Sequence, residues 1–151
     1  MTQNAAPFLI LHGPNLNLLG TREPEVYGHT TLDEINVMLE KQAAQAGCVL
    51  QIVQSNAEGE LIDIIQTGIQ NSAGLLINPG GYTHTSVALR DAIAAYPHPS
   101  VEVHLSNTMA REAFRHTSLI SPVVTGTIAG LGVESYRLGL EWLLSQAKVL
   151  V

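Results

Sequence analysis

Glu102 and His104 form the first of two residue pairs whose types and spacing suit proton transfer. They are two positions apart in an apolar segment, so on a β-strand both side chains point to the same face. A carboxylate beside an imidazole favours the imidazolium, which is the form that donates a proton. The spacing also fits a buried histidine whose polar atoms are satisfied by a neighbouring acid, and the pair alone leaves both interpretations open.

Arg22 and Tyr27 form the second pair, in a segment that shows neither the helical nor the strand period. A cation near a phenol favours the ionised phenolate, which makes Tyr27 a candidate base. The alternative is a tyrosine that only packs a surface loop. Gly20 and Gly28 bound this segment, so we predict a mobile active-site lid over residues 20–28.

Asn15 and Asn78 place amide groups just after two apolar runs, where they could hold a water molecule or an oxyanion. The second run ends in Asn78-Pro79-Gly80-Gly81, in which proline removes a backbone donor and glycine permits positive φ. No lysine follows this turn, and Gly126-x-x-x-Gly130-x-Gly132 matches neither common nucleotide-binding spacing. The sequence therefore gives no support for nucleotide binding, and its scattered histidines predict no metal and no other cofactor.

The candidate residues follow short apolar runs that alternate with amphipathic segments. We predict five strands, at residues 8–11, 49–53, 75–77, 100–105 and 123–128. This alternation indicates an α/β fold, a single-domain, doubly wound parallel sheet of the flavodoxin-like type with strand order 2-1-3-4-5. In such sheets ligands bind at the carboxyl ends of the strands, which is where the polar residues fall.

Helix signals lie between the predicted strands. Thr31 begins a capping box, Asn56 is predicted to cap the next helix, and Ser86 is one of three hydroxyl residues that can cap the third. Arg111 and Arg115 are four positions apart, which predicts one face of a short helix. On that face Arg115 could bind substrate oxygens or the acid of a neighbouring chain.

Composition limits the class of protein. The length of 151 residues predicts one domain over residues 1–151, and 46% apolar against 13% charged residues favours an oligomer. A net charge of −6 without a basic run argues against nucleic acid, and the single cysteine, Cys48, excludes an intrachain disulfide. The first apolar run is too short for a signal peptide or a membrane span, so we expect a cytoplasmic protein without membrane association.

Four long motifs, in the same order, resemble the type II 3-dehydroquinate dehydratases (type II dehydroquinases) of the shikimate pathway. They are residues 11–20, 22–28, 77–86, and 102–107 together with 111–115. The resemblance runs nearly end to end. One departure is Thr108-Met109, which stands where many members have an Ile-His pair.

The resemblance implies an anti elimination of water from 3-dehydroquinate, giving 3-dehydroshikimate through an enolate intermediate. Tyr27 would remove the proton beside the ketone, and Arg22 would stabilise charge in the transition state. Asn15 would hold the water molecule that stabilises the enolate. His104 would protonate the leaving hydroxyl.

The resemblance also implies the substrate contacts and the assembly. The substrate carboxylate would lie at Leu105 and Ser106, and the ring hydroxyls at Asn78, His84 and Arg115. Asp91 would reach the site of a neighbouring subunit in a dodecamer built from trimers, and no metal or nucleotide would take part. A flavodoxin-like binding or regulatory module that uses the same cleft without turnover is the alternative. The presence of Tyr27, Arg22 and His104 argues against it.

Overall fold

The computed structural model describes residues 5–149, so residues 1–4 and 150–151 of the predicted domain lie outside the described residues. The five strands are β1 (Phe8–His12), β2 (Leu50–Gln54), β3 (Gly74–Asn78), β4 (Ser100–His104) and β5 (Gly126–Ala129). All neighbouring strands are parallel and their order is β2-β1-β3-β4-β5. The predicted flavodoxin-like class and strand order are confirmed.

Helices cover both faces of this sheet. These helices are α2 (Leu32–Gln45), α3 (Glu58–Asn71), α4 (Val87–Ala94) and α5 (Val133–Val149), and they follow a single helical turn, α1 (Pro24–Tyr27). The apolar sides of α2 and α5 pack in one core, and those of α3 and α4 pack in the core on the opposite face. This arrangement buries β1, β3 and β4 completely, because each has helices on both sides. Within residues 5–149 we find no helix with both the length and the apolar character needed to cross a membrane.

Two predicted caps are confirmed and one is wrong. The Thr31 hydroxyl accepts the Glu34 backbone N–H, and the Ser86 hydroxyl accepts the Leu89 backbone N–H. Asn56 does not cap α3, which begins at Glu58 after Ala57. The hydroxyl of Ser55 takes the N–H of Ala57, and the Asn56 side chain instead accepts the backbone N–H of Asn15 at 3.0 Å.

Two predicted elements in the C-terminal half of the chain also differ from the structure. The fifth strand begins at Gly126 and not at Val123, because Ser121–Val123 forms a 3₁₀ turn around Pro122, which lacks a ladder donor. Arg111 and Arg115 do not share a helix. Two separate 3₁₀ turns, Thr108–Ala110 and Ala113–His116, replace it, and the backbone of Arg111 between them is extended.

The carboxyl ends of β1 and β3 approach each other unusually closely. His12 and Asn78 are register partners on these adjacent strands. A Cβ atom on Gly13 would lie 2.5 Å from the carbonyl oxygen of Pro79, so only glycine permits this approach. The Gly13 N–H donates to the Asn78 carbonyl at 2.8 Å, and this hydrogen bond joins the two strand ends.

Candidate active site

A cleft of about 150 Å³ opens at the carboxyl ends of β1, β3 and β4. The structure brings most of the sequence-predicted residues to its walls: Asn15, Arg22, Tyr27, Asn78, His84, His104, Leu105, Ser106 and Arg115. Glu102 lies behind His104 and does not line the cleft. Asp91 is on α4, exposed and paired with Arg90 at 2.8 Å, and it is not part of the cleft wall of its own chain.

Glu102 and His104 are in direct contact at the end of β4. His104 Nε2 lies 2.7 Å from Oε2 of Glu102, whose side chain is completely buried. Four hydroxyl groups also donate to this carboxylate, and we call them the hydroxyl cluster: Thr83, Ser118, Ser121 and Thr127. His104 lines the cleft, so its remaining nitrogen, Nδ1, is the one available to a ligand.

His104 and the hydroxyl cluster together decide the charge of Glu102. Burial by itself raises the pKa of this carboxyl. The hydrogen bond and charge of His104 lower the pKa, as do the hydroxyls of Ser121 and Thr83. These effects outweigh burial, and the resulting pKa is about 2. The carboxylate is therefore ionised at pH 7, and it accepts hydrogen bonds from the ring of His104 and from the hydroxyl cluster.

Sequence reasoning missed the hydroxyl cluster because its members are 16 to 25 residues from Glu102. Serine and threonine are common in loops, and nothing local marks those that reach a buried acid. Ser118 lies in the loop after the 3₁₀ turn Ala113–His116, Ser121 begins the 3₁₀ turn Ser121–Val123, and Thr127 comes from β5. The parallel pairing of β4 with β5 makes Thr127 the register partner of Glu102.

Tyr27 lies between two guanidinium groups. The central carbons of Arg22 and Arg111 are each 5.1 Å from the centroid of the Tyr27 ring, which is within cation–π range. Arg111 also donates to the Ser106 hydroxyl at 3.2 Å and lines the cleft. The sequence pointed to Arg111 only through its four-residue spacing from Arg115, and that spacing predicted the wrong local structure.

Tyr27 belongs to the segment predicted as a lid. This segment, residues 20–28, contains the single helical turn α1, which the absence of a clear period did not predict. Glu23 before this turn has a φ of 39°, and Gly28 after it has a φ of 80°. Glycine adopts a positive φ readily, whereas a positive φ is uncommon for glutamate, so Glu23 is the unusual residue beside this turn.

Hydrogen bonds hold Asn15 and His84 in place at the cleft. Asn15 has a φ of 69°, a left-handed conformation that asparagine tolerates better than most residues, and its N–H is held by Asn56. His84 Nδ1 lies 2.8 Å from the carbonyl oxygen of Thr117 and donates to it, because a carbonyl oxygen can only accept. Arg115 is oriented by a 2.7 Å contact with Glu112.

The electrostatic character of the cleft differs from that of the whole chain. Arg22, Arg111 and Arg115 line it, although the protein carries a net charge of −6. Three guanidinium groups around about 150 Å³ suit a small, oxygen-rich anion. Between residues 5 and 149, no set of three or more His, Cys, Asp or Glu side chains is arranged to hold a metal ion.

The departure at Thr108-Met109 lies mostly outside this cleft. Met109 is 63% exposed and lines a second cavity of about 240 Å³, which shares His84, His104 and Arg115 with the cleft. Thr108 borders both spaces. The residues that line the cleft are otherwise those of the four sequence motifs.

Comparisons with known proteins agree on one family. The family described as dehydroquinase class II matches residues 6–144. A protein from Roseiflexus castenholzii named 3-dehydroquinate dehydratase is 59% identical over 136 residues, which cover 90% of this chain and 87% of that protein. One from Nostoc sp. with the same name is 59% identical over 140 residues, which cover 93% of this chain and 95% of that protein. The crystal structure of type II dehydroquinase from Propionibacterium acnes superimposes with a TM-score of 0.90 at 39% identity, covering 95% of this chain and 99% of that one.

Proposed function

The chain belongs to the dehydroquinase class II family, and from this premise we propose that it is a hydro-lyase that converts 3-dehydroquinate to 3-dehydroshikimate. The reaction is a step of the shikimate pathway, and we place it in the cytoplasm. The observation that carries the proposal is a single cleft with Tyr27 between two guanidinium groups and His104 on the ionised Glu102. These two centres supply the base and the acid that an elimination of water requires.

Tyr27 is the base that removes the proton next to the ketone. Arg22 and Arg111 stabilise the phenolate, and the size of their effect depends on water. Two opposite unit charges about 5 Å apart attract by less than 1 kcal/mol in water but by about 3 kcal/mol at an effective dielectric constant near 20. Closure of the lid over residues 20–28 excludes water, so closure and positive charge act together on Tyr27.

The intermediate is an enolate, and Asn15 stabilises it through a bound water molecule. The left-handed backbone of Asn15 directs this residue into the cleft at the end of β1, where its N–H is already held by Asn56. Negative charge on the enolate oxygen develops in a cleft that three arginines make electropositive. This preorganised environment lowers the barrier, because its dipoles and charges need not reorient during the reaction.

His104 then protonates the departing hydroxyl from Nδ1, while Nε2 stays on Glu102. Glu102 is a positioning residue that holds the ring and stabilises its imidazolium form, as the 2.7 Å contact and the hydroxyl cluster support. Tyr27 takes up the proton from carbon, and the hydroxyl takes a proton from His104 and leaves as one water molecule. Tyr27 then loses its proton to solvent and His104 regains one, which restores the site. The base comes from the lid and the acid from β4, in keeping with an anti elimination.

The remaining cleft residues bind the substrate. The carboxylate is held at Leu105 and Ser106, next to Arg111, and the ring hydroxyls contact Asn78, His84 and Arg115. Asp91 is exposed on its own chain, and we assign it to the site of a neighbouring subunit in a dodecamer of trimers. The reaction needs no metal, nucleotide or other cofactor.

The direct test is incubation of the purified protein with 3-dehydroquinate while the absorbance of the conjugated enone product is followed. We expect product from the wild type and almost none from Tyr27→Phe, which keeps the ring between the two arginines but has no ionisable hydroxyl. A wild-type protein that binds a substrate analogue yet forms no enone would show that the cleft serves a binding module, and the proposal would be wrong.

A further inference from the structure

A short segment behind the cleft contacts both the acid pair and a substrate-binding residue. This segment, residues 117–121, follows the 3₁₀ turn Ala113–His116, and we call it the serine loop because it carries Ser118 and Ser121. Neither serine lines the cleft. Any effect of the serine loop on the reaction must therefore pass through the residues that it holds.

Ser118 has a hydroxyl group whose direction is fixed. Its oxygen accepts the backbone N–H of Ile120 at 3.1 Å and that of Ser121 at 2.9 Å. These two contacts occupy both lone pairs, so the single hydroxyl hydrogen is left to donate to Glu102. The two carboxylate oxygens of Glu102 lie 3.1 Å and 3.0 Å from the Ser118 oxygen. The Ser118 hydroxyl is therefore a donor that the backbone of its own loop orients towards the carboxylate.

Three donors meet at one oxygen of Glu102, Oε2. They are Nε2 of His104 at 2.7 Å, the Thr83 hydroxyl at 2.8 Å and the Ser118 hydroxyl at 3.0 Å. Hydroxyl donors stabilise the ionised carboxylate, so the hydrogen atom between Glu102 and His104 stays on the ring. The proton that His104 transfers is then the one on Nδ1, the nitrogen available to the cleft.

The serine loop also holds the 3₁₀ turn Gly80–His84, which carries Thr83 and His84. The Leu119 backbone N–H donates to the Thr83 carbonyl oxygen at 2.8 Å, and Nδ1 of His84 donates to the Thr117 carbonyl oxygen at 2.8 Å. His84 lines the cleft, whereas the Thr83 hydroxyl donates to Glu102. A displacement of the serine loop would thus change the surroundings of both His84 and Glu102.

We propose that the serine loop is a positioning element that holds the acid His104, through Glu102, and the substrate-binding His84 in one fixed arrangement, with Ser118 as the residue that joins them. This inference rests on the proposed function, in which His104 is the acid and His84 binds a ring hydroxyl. Removing the Ser118 hydroxyl takes one donor from the carboxylate and leaves two backbone N–H groups without their acceptor. The loop then loses its fixed position, and both histidines lose preorganisation.

Ser118→Ala tests the inference through kcat and KM together. We expect kcat to fall about tenfold, the effect of losing one hydrogen bond to a charged group, because the acid is displaced. We expect KM to rise about threefold, because the contact with His84 is weakened. The kcat of Ser118→Cys, which has a similar size but is a weaker donor, should lie between those of Ser118→Ala and the wild type. A wild-type kcat in Ser118→Ala would overturn the inference.

Ser121→Ala is the second variant if Ser118→Ala does not accumulate as folded protein. It removes the donor to the other carboxylate oxygen, Oε1, and carries the same expectation for kcat. Ser72→Ala is the matched control. The buried Ser72 hydroxyl donates to the Gly68 carbonyl oxygen at 2.6 Å, and it precedes β3 at the amino edge of the sheet, away from the cleft. This control should keep the wild-type kcat and KM, and an equal loss in the control and the loop variants would overturn the inference.

A double-mutant cycle with His104→Ala separates the two effects of the loop. If Ser118 acts on kcat only through the acid, then adding Ser118→Ala to His104→Ala should change kcat by less than about twofold. The rise of KM should persist, because His84 is still present. A further tenfold fall of kcat in the double variant would overturn the inference while leaving the proposed function intact.

A wild type without turnover would instead defeat the proposed function, and nitrogen NMR of the histidine rings would still decide about the loop. In Ser118→Ala the ring nitrogen resonances of both His84 and His104 should shift, because the loop contacts both residues. In Ser72→Ala both should keep their wild-type positions. Unchanged resonances of the two histidines in Ser118→Ala would show that the serine loop does not position them.

Discussion

Replacing Glu102 by glutamine should remove a stabilisation of the fold that depends on pH. The substitution conserves volume but replaces one carboxylate oxygen by an NH₂ group that faces hydroxyls already oriented as donors. Some of these hydroxyls must turn round or lose their partner, and the ion pair with His104 is lost. The perturbation is therefore electrostatic and leaves the size of the core unchanged.

The magnitude follows from the pKa of Glu102, which His104 and the hydroxyl cluster lower from 4.5 to about 2 against the opposing effect of burial. At about 1.4 kcal/mol for each pH unit between folded and unfolded values, the ionised carboxylate stabilises the fold by about 3 kcal/mol. Because the folded value is the lower one, this contribution is complete above about pH 4.5. It is lost as the pH falls towards 2, where the folded protein also takes up the proton.

The assay is urea unfolding at a fixed chain concentration, followed by circular dichroism at several pH values from 5 down to 2.5. The unfolding free energy of the wild type should fall relative to that of Glu102→Gln by about 2 kcal/mol across this range, because pH 2.5 still lies above the folded pKa of Glu102. Glu40→Gln, which alters an exposed carboxylate on α2, is the control and should follow the wild type. A constant difference between wild type and Glu102→Gln would refute the reasoning, because it would mean that Glu102 does not change its protonation differently in the folded and unfolded states.

Three further predictions concern the cleft and the assembly. Arg111→Ala should lower kcat by about tenfold to a hundredfold, because one of the two cations on Tyr27 is lost. The kcat of Arg111→Lys should fall between those of Arg111→Ala and the wild type. A wild-type kcat in Arg111→Ala would exclude a role of Arg111 on Tyr27. Trypsin should cut the free protein after Arg22 within residues 20–28, and a bound substrate analogue should slow this cut; equal rates with and without analogue would contradict the lid. Asp91→Ala should reduce both activity and the sedimentation coefficient if Asp91 completes a neighbouring site, whereas a fully active wild-type monomer would rule that role out.

The sequence by itself determined the architecture and the place of the cleft. Apolar runs at strand length, separated by amphipathic segments, leave few alternatives to a parallel sheet covered on both faces. Because polar residues follow the ends of β1, β3 and β4, the same pattern also located the cleft at one edge of that sheet. Local signals such as the caps at Thr31 and Ser86 were sufficient because each involves residues only three positions apart.

Tertiary structure alone decided which distant side chains meet behind and beside the predicted residues. The hydroxyl cluster reaches Glu102 across 16 to 25 residues, and Tyr136 meets His12 across 124. The spacing of Arg111 and Arg115 predicted a helix, but the backbone of Arg111 is extended between two 3₁₀ turns. This conformation places the Arg111 guanidinium against the Tyr27 ring. Hydroxyls and guanidinium groups have no periodic signature along a chain. Their partners are set by the packing of strands and loops, which is a property of the folded molecule and not of any local segment.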